Sequence, residues 1–255
     1  MTGEAVLVTG ASRGIGRAVA VRLAADGVPL VLWARDRTGL TDLATGHRGA
    51  GPVTVQAVDV RDETSVRAAV EELAEADIAL RGVVLNAGVG QWHPLQGYPI
   101  ALWDDIVATN LRGAQLTLVA TLPLLLQTRS PQLIGVGSDS GLAGFPERAA
   151  YCASKWGLRG LLEVARAEHR QDGLRCTHLA VGAVDTGFRT GRPGSRPGSL
   201  PPENVAEIIT WLLGSPAQTE IRELHVSSTA VPFGTPGPHL VSAADNPRKE
   251  SAGEH

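Results

Sequence analysis

Lysine is nearly missing from this sequence. Of its 23 basic residues only Lys155 and Lys249 are lysines, and the rest are arginines. Cysteine is equally sparse: Cys152 and Cys176 cannot make a disulfide framework, so a reducing cytoplasm is the expected setting. No apolar run reaches bilayer-spanning length, and a strand starting at Ala5 is expected to leave no room for a signal peptide. An excess of one charge is lacking too, since a formal net charge of −3 gives no reason to expect nucleic acid or an anionic membrane as partner. The seven histidines show no metal-ligand spacing such as H-E-x-x-H, so no metal site is expected. No internal repeat is visible.

What is present suffices for one large core, because 255 residues at 43% hydrophobic content can bury a full interior. The stretch TGASRGIG, Thr9 to Gly16, organises the rest. It follows the apolar run Ala5-Val6-Leu7-Val8, a buried strand, and leads into Arg17 to Ala24, whose apolar positions recur at helical spacing. Gly10 suits a tight turn, Gly14 a backbone approach to a pyrophosphate, and Gly16 a helix lying close to the sheet. A diphosphate would then sit at the helix N-terminus, where free N–H groups and the dipole favour an anion.

Further strands are predicted at Leu30–Trp33, Val53–Val58, Gly82–Leu85, Gln132–Gly137, Arg175–Ala180 and Glu223–Val226. Helices are predicted between them: a segment after Trp33, then Glu63–Ala76 capped by Asp62, about Leu102–Gln127 with Pro123 inside, Tyr151 to about Arg170, and Pro202 to about Leu213. This alternation implies an α/β fold, a doubly wound parallel sheet in a single three-layer αβα domain over residues 1–234. Residues 187–199 (GFRTGRPGSRPGS) read as an irregular arginine-rich loop, and residues 235–255 as a disordered tail.

Three features fall at the carboxyl ends of strands, where doubly wound sheets bind ligands: Asn86-Ala87-Gly88, Ser138, and Tyr151-x-x-x-Lys155. Tyr151 and Lys155 share one helix face, and an ammonium near a phenol is expected to lower its pKa towards the working pH. That would make a general acid–base suited to carbonyl/alcohol interconversion. A solvated helix face is the plainer reading of the pair. Against it stands the composition: a chain that otherwise places arginine at its positive positions keeps a lysine here, and the two cations are not interchangeable. Ser138 taken alone reads equally as a strand-end turn residue.

Together TGASRGIG, Asn86-Ala87-Gly88, Asn110 in TNLRGA, Ser138, Tyr151 and Lys155 in YCASK, and Val181 to Thr186 (VGAVDT) resemble the short-chain dehydrogenase/reductases, over roughly residues 3–228. The resemblance implies Tyr151 as proton donor and acceptor, Ser138 orienting the substrate carbonyl and stabilising charge on its oxygen, and Lys155 holding ribose hydroxyls. It implies Asn110 behind Lys155 in a proton relay. Gly10, Ser12, Arg13, Gly14, Ile15 and Gly16 would cradle the cofactor's phosphates and ribose, Asp59 and Val60 its adenine. Asn86, Ala87 and Gly88 would line the cleft, and Val184 and Thr186 would meet the nicotinamide. Val181 departs from the proline usual there, without removing a catalytic group. Homodimers or homotetramers through roughly residues 112–127 and 151–170 are implied too.

In NAD-specific relatives an acidic residue closes the second strand; here that position reads as Ala34, followed by Arg35. Arg35 with Arg13 could grip a 2′-phosphate, which predicts NADP(H). Asp36, about 20 residues past Gly16, stands where a ribose-binding acid is expected and keeps NAD(H) as the alternative, but it reads as one turn of the loop too late, pointing to solvent or pairing with Arg37. For the substrate, the resemblance points to loops holding Gln91, Trp92 and His93, Leu142 to Arg148, and Phe188 to Arg196. Trp92 and Phe188 suggest an apolar moiety. Arg189, Arg192 and Arg196 suggest an anionic or carrier-bound one, or else a solvated loop. The expected function is NADPH-dependent reduction of a small-molecule ketone. The alternatives are a 3-oxoacyl-carrier-protein reductase, an NAD-dependent alcohol dehydrogenase, or a nucleotide-sensing binding protein without turnover.

Overall fold

The computed structural model describes residues 4–41, 51–188, 194 and 197–231. Seven parallel strands form one sheet: β1 (Ala5–Thr9), β2 (Leu30–Ala34), β3 (Val53–Ala57), β4 (Leu80–Leu85), β5 (Gln132–Val136), β6 (Arg175–Val181) and β7 (Glu223–Val226). Their order across the sheet is β3-β2-β1-β4-β5-β6-β7. The chain therefore winds outward from β1 in one direction and from β4 in the other, which opens a crevice between the loops that follow these two strands.

The central strands are buried on both faces and send alternate side chains to two cores. Val6 and Val8 of β1 face α1 (Gly14–Ala25) together with α6 (Pro202–Leu213), in a core that also holds Leu32, Ile134 and Leu179. Leu7 points the other way, with Val31, Leu133 and Cys176, towards α2 (Glu63–Glu75), α4 (Gly113–Leu125) and α5 (Ala149–His169). Each fully buried leucine stabilises this arrangement by roughly 1.5–3 kcal/mol. Asp62 caps α2, accepting from the Thr64 N–H at 2.9 Å.

Gly16 explains why α1 can lie so near the sheet. A Cβ there would come within 2.4 Å of the Gly10 carbonyl oxygen and 2.5 Å of Asn86 Nδ2. Asn86 Nδ2 in turn donates to the Thr9 carbonyl at 2.8 Å, while the Asn86 and Ala87 N–H groups both donate to Thr9 Oγ1 at 3.0 Å. The glycine loop and the Asn86 turn are thus bound into one floor across the crevice.

The helix predicted over 102–127 is in fact three pieces. The first is α3 (Ile100–Val107), followed by a π turn over Ala108–Arg112 and then α4, with Pro123 in its last turn. The wide turn is centred on Asn110, whose side chain is drawn to a distant backbone segment described below. After β2 the described residues show a 3₁₀ turn at Thr38–Leu40, and the rest of the helical segment expected there lies outside the described residues. Arg189, Arg192, Arg196 and the expected tail also lie outside them. Among the described residues no helix is long and apolar enough to cross a membrane.

Candidate active site

A cavity of about 530 Å³ runs along the carboxyl ends of the strands. At one end its wall carries Gly10, Ser12, Arg13, Gly14 and Ile15 from the glycine loop, then Arg35, Asp59 and Val60. Asn86, Ala87 and Gly88 line the middle. At the far end stand Ser138, Tyr151, Lys155, Val184 and Thr186, with Trp92 and Phe188 beside them. Three expected site residues among those described stay off the wall. Gly16 lies beneath the glycine loop, and Asn110 is buried behind Gly88. His93, expected near the substrate, does not line the cavity either; its Nδ1 faces the Pro94 carbonyl at 2.9 Å.

Lys155 is buried, and its ammonium donates to the Val136 carbonyl at 2.8 Å, at the end of β5. Loss of water around the charge lowers its pKa from the usual lysine range to about 8. Its Nζ lies 5.7 Å from the centroid of the Tyr151 ring. The expectation that this ammonium depresses the phenol's pKa does not hold here: burial of the ring dominates and raises it. The Ser138 hydroxyl and the Arg148 charge pull the other way, while the Cys152 and Asp139 side chains add to the rise. The reason is geometric. Lys155 aims its charge at the backbone of β5, and the phenol has been taken out of water.

Lys155 yields a prediction. Between about pH 8 and its unfolded value of 10.5, the unfolded chain binds a proton that the folded chain does not. Burial of this charge therefore opposes folding fully below about pH 8, and the penalty fades as pH rises to 10.5. Denaturant titrations of the nucleotide-free protein should show Lys155→Met more stable than the wild type below pH 8, with the gap closing at higher pH. A gap that does not change with pH would mean that Lys155 is not buried as a cation.

Asn110 Oδ1 accepts from the Val89 N–H at 2.8 Å, and its Nδ2 donates to the Val89 carbonyl at 2.9 Å and to Ser154 Oγ at 3.2 Å. Both faces of the amide are therefore used to pin the loop after β4 against α5. At the opposite end, Arg35 is exposed on the rim and acts on Asp59 through its charge. Asp36 is also exposed, and its Oδ1 accepts from the Thr38 N–H at 2.9 Å. That bond engages its carboxylate at the start of the 3₁₀ turn, and Asp36 is not among the residues that line the cavity.

Three residues that the sequence did not single out shape the site. Arg61 grips Asp59, Nη2 to Oδ2 at 2.7 Å, which lowers the Asp59 pKa below the usual carboxylate range, and it also reaches Asp105 at 2.9 Å. Its only sequence signal is the D-V-R-D run at Asp59–Asp62. His178 of β6 is buried, and its Nδ1 donates to Glu223 Oε2 at 3.3 Å. Its Nε2 has no hydrogen-bond partner among the described residues. Gly137, between the lysine's carbonyl partner and Ser138, lies directly against that ring: a Cβ there would be 2.2 Å from His178 Nε2.

Comparison with known proteins agrees with this geometry. The family model for short chain dehydrogenase matches residues 4–194. Sulfoacetaldehyde reductase 2 of Chromohalobacter salexigens is 32% identical over 238 residues, covering 89% of this chain and 94% of that protein. An alcohol dehydrogenase from the archaeon Thermococcus sibiricus, solved with 5-hydroxy-NADP, superposes with a TM-score of 0.84 at 32% identity, covering 89% of this chain and 97% of that one. A metagenomic short-chain oxidoreductase solved with NADP does so with a TM-score of 0.75, also at 32% identity, covering 89% and 97%. The parallel sheet, the glycine-loop crevice and the Ser138, Tyr151 and Lys155 wall thus carry a family assignment: the chain belongs to the short-chain dehydrogenase family and is an NAD(P)-dependent oxidoreductase.

Proposed function

We propose that the enzyme reduces a small-molecule ketone to a secondary alcohol with NADPH. The observation that carries this reading is the convergence of Ser138, Tyr151 and the buried Lys155 on one end of the cavity, with two arginines at the other. The residues fit a dinucleotide. The N-cap of α1 is Arg13, with no side-chain cap and no acidic residue in the first turn, so the helix end is left to face an anion. Arg13 and Arg35 suit the extra phosphate of NADP(H). Two similar proteins whose structures were solved with NADP or 5-hydroxy-NADP support that choice.

Bound NADPH would supply the hydride. Tyr151 supplies the proton to the carbonyl oxygen, Ser138 holds that oxygen, and Lys155 fixes the ribose end while anchored on β5. In this reading Asn110 holds the loop after β4 in place. A homodimer or homotetramer through α4 and α5 is part of the same reading, supported by the exposed Val119, Trp156 and Val164.

The test needs no substrate. Tryptophan quenching by NADPH and by NADH should show NADPH bound at least about tenfold tighter, or roughly 1.4 kcal/mol. Arg35→Ala should remove most of that advantage and leave NADH affinity nearly unchanged. Equal losses for both nucleotides would sink the assignment of the 2′-phosphate to Arg35.

A further inference from the structure

Past Tyr151 the cavity ends in a cluster that the reduction itself does not use. The Arg148 guanidinium carbon sits over two aromatic rings, 4.9 Å from the centroid of Trp92 and 4.7 Å from that of Phe145. All three residues line the cavity. Arg148 Nη1 donates to Ser140 Oγ at 3.3 Å, and Trp92 meets Tyr151 edge-on with centroids 5.1 Å apart. Two ring contacts of about 5 Å each thus separate a fixed cation from the proton donor.

The backbone is bent to present it. Glu147 has φ +65°, one of two non-glycine residues in the left-handed region among those described. Its carbonyl accepts from the His93 N–H at 2.9 Å, which ties the turn before Arg148 to the loop carrying Trp92. Such a conformation persists where surrounding structure over-determines it, and it clusters at ligand sites. Arg148 is also the N-cap of α5, the end where the helix dipole disfavours a cation; its carbonyl accepts from the Cys152 N–H at 2.7 Å, while its side chain does not cap the helix. As a helix cap it is misplaced. As a receptor for an anion, its charge and the helix end act together.

We infer that Arg148 is the specificity residue for an anionic group on the substrate, so that the reaction proposed above acts on short carbonyl compounds bearing a carboxylate or sulfonate a few bonds from the carbonyl. The inference rests on the reductive reading and narrows it. The anion takes no part in bond making; it is gripped by a charge that no neutral substrate would need. The expectation of an anionic substrate from Arg189, Arg192 and Arg196 cannot carry this, since those residues lie outside the described ones. Arg148, which lines the cavity, carries it instead.

Three compounds that differ in one group make the test: acetoacetate, 2-oxopropane-1-sulfonate and methyl acetoacetate, each assayed with NADPH. The wild type should turn over at least one anion with kcat/KM at least tenfold above the neutral ester. Arg148→Gln should lower that anion-to-ester ratio at least tenfold, and Arg148→Lys should keep part of it. The rank of carboxylate against sulfonate identifies which oxyanion the site fits. Independently of any variant, ethanesulfonate should compete with methyl acetoacetate in the wild type at concentrations where sodium chloride does not. A ratio near one in the wild type, or one unchanged in Arg148→Gln, overturns the inference while the reductive reading stands. If none of the three is reduced with either NADPH or NADH, both fall.

Discussion

Tyr151→Phe is expected to leave a folded protein that binds NADPH but reduces ketones about a thousandfold more slowly, within the range general acid catalysis supplies. The substitution removes one hydroxyl and keeps the ring, so the edge-on contact with Trp92 at 5.1 Å and the contact with Phe188 at 6.0 Å survive. Nucleotide affinity should hardly move, because the phosphate-facing residues lie at the other end of the cavity. The raised phenol pKa adds a directional signature. Reduction needs the protonated phenol, so its rate should be flat across neutral pH and fall only in the alkaline range. Alcohol oxidation needs the phenolate, so it should climb as pH rises over the same range. A Tyr151→Phe variant keeping a tenth of the wild-type kcat would remove Tyr151 from the proton transfer, and a reduction rate already falling at pH 7 would contradict its burial.

Much of this site was legible because its signals are local. A strand, a glycine turn and a helix follow one another within Ala5–Ala25, and the pattern of each is readable in a short window. Tyr151 and Lys155 are one helical turn apart, so their shared face needed no tertiary information. What escaped depends on residues far apart in sequence. The break at Ala108–Arg112 follows from Asn110 reaching Val89, and Arg61 follows from a carboxylate on another element, Asp105. The phenol's pKa was misjudged for a similar reason. Helical spacing showed which charge was near, while burial, which depends on the whole fold, decides the direction. Asp36 stands between the two cases. Its distance from Gly16 matches a ribose ligand while its place in the loop points it to solvent; it is exposed, and the partner of its carboxylate is the Thr38 N–H rather than Arg37.

Gly137→Ala should damage this site severely through a single added methyl. The new carbon would lie 2.2 Å from His178 Nε2 and 2.9 Å from its Cδ2, and the ring has nowhere to go: it is buried, with Nδ1 held by Glu223, which Arg159 holds in turn at 2.7 Å. Overpacking of this kind costs about 1–3 kcal/mol of stability. The damage reaches the chemistry because Gly137 sits between two working groups. Val136 on one side offers the carbonyl that anchors Lys155, and Ser138 follows on the other. A shift of about an ångström in that segment should lower kcat on the order of a hundredfold, with nucleotide affinity less affected. His178→Ala made alone opens a void under the same backbone. Combined with Gly137→Ala it removes the clash, so the double variant should be more stable and more active than Gly137→Ala, with a coupling of about 1–3 kcal/mol in a double-mutant cycle. Additive losses would show that His178 does not brace the catalytic strand, and that Gly137 is required for some reason other than the ring packed against it.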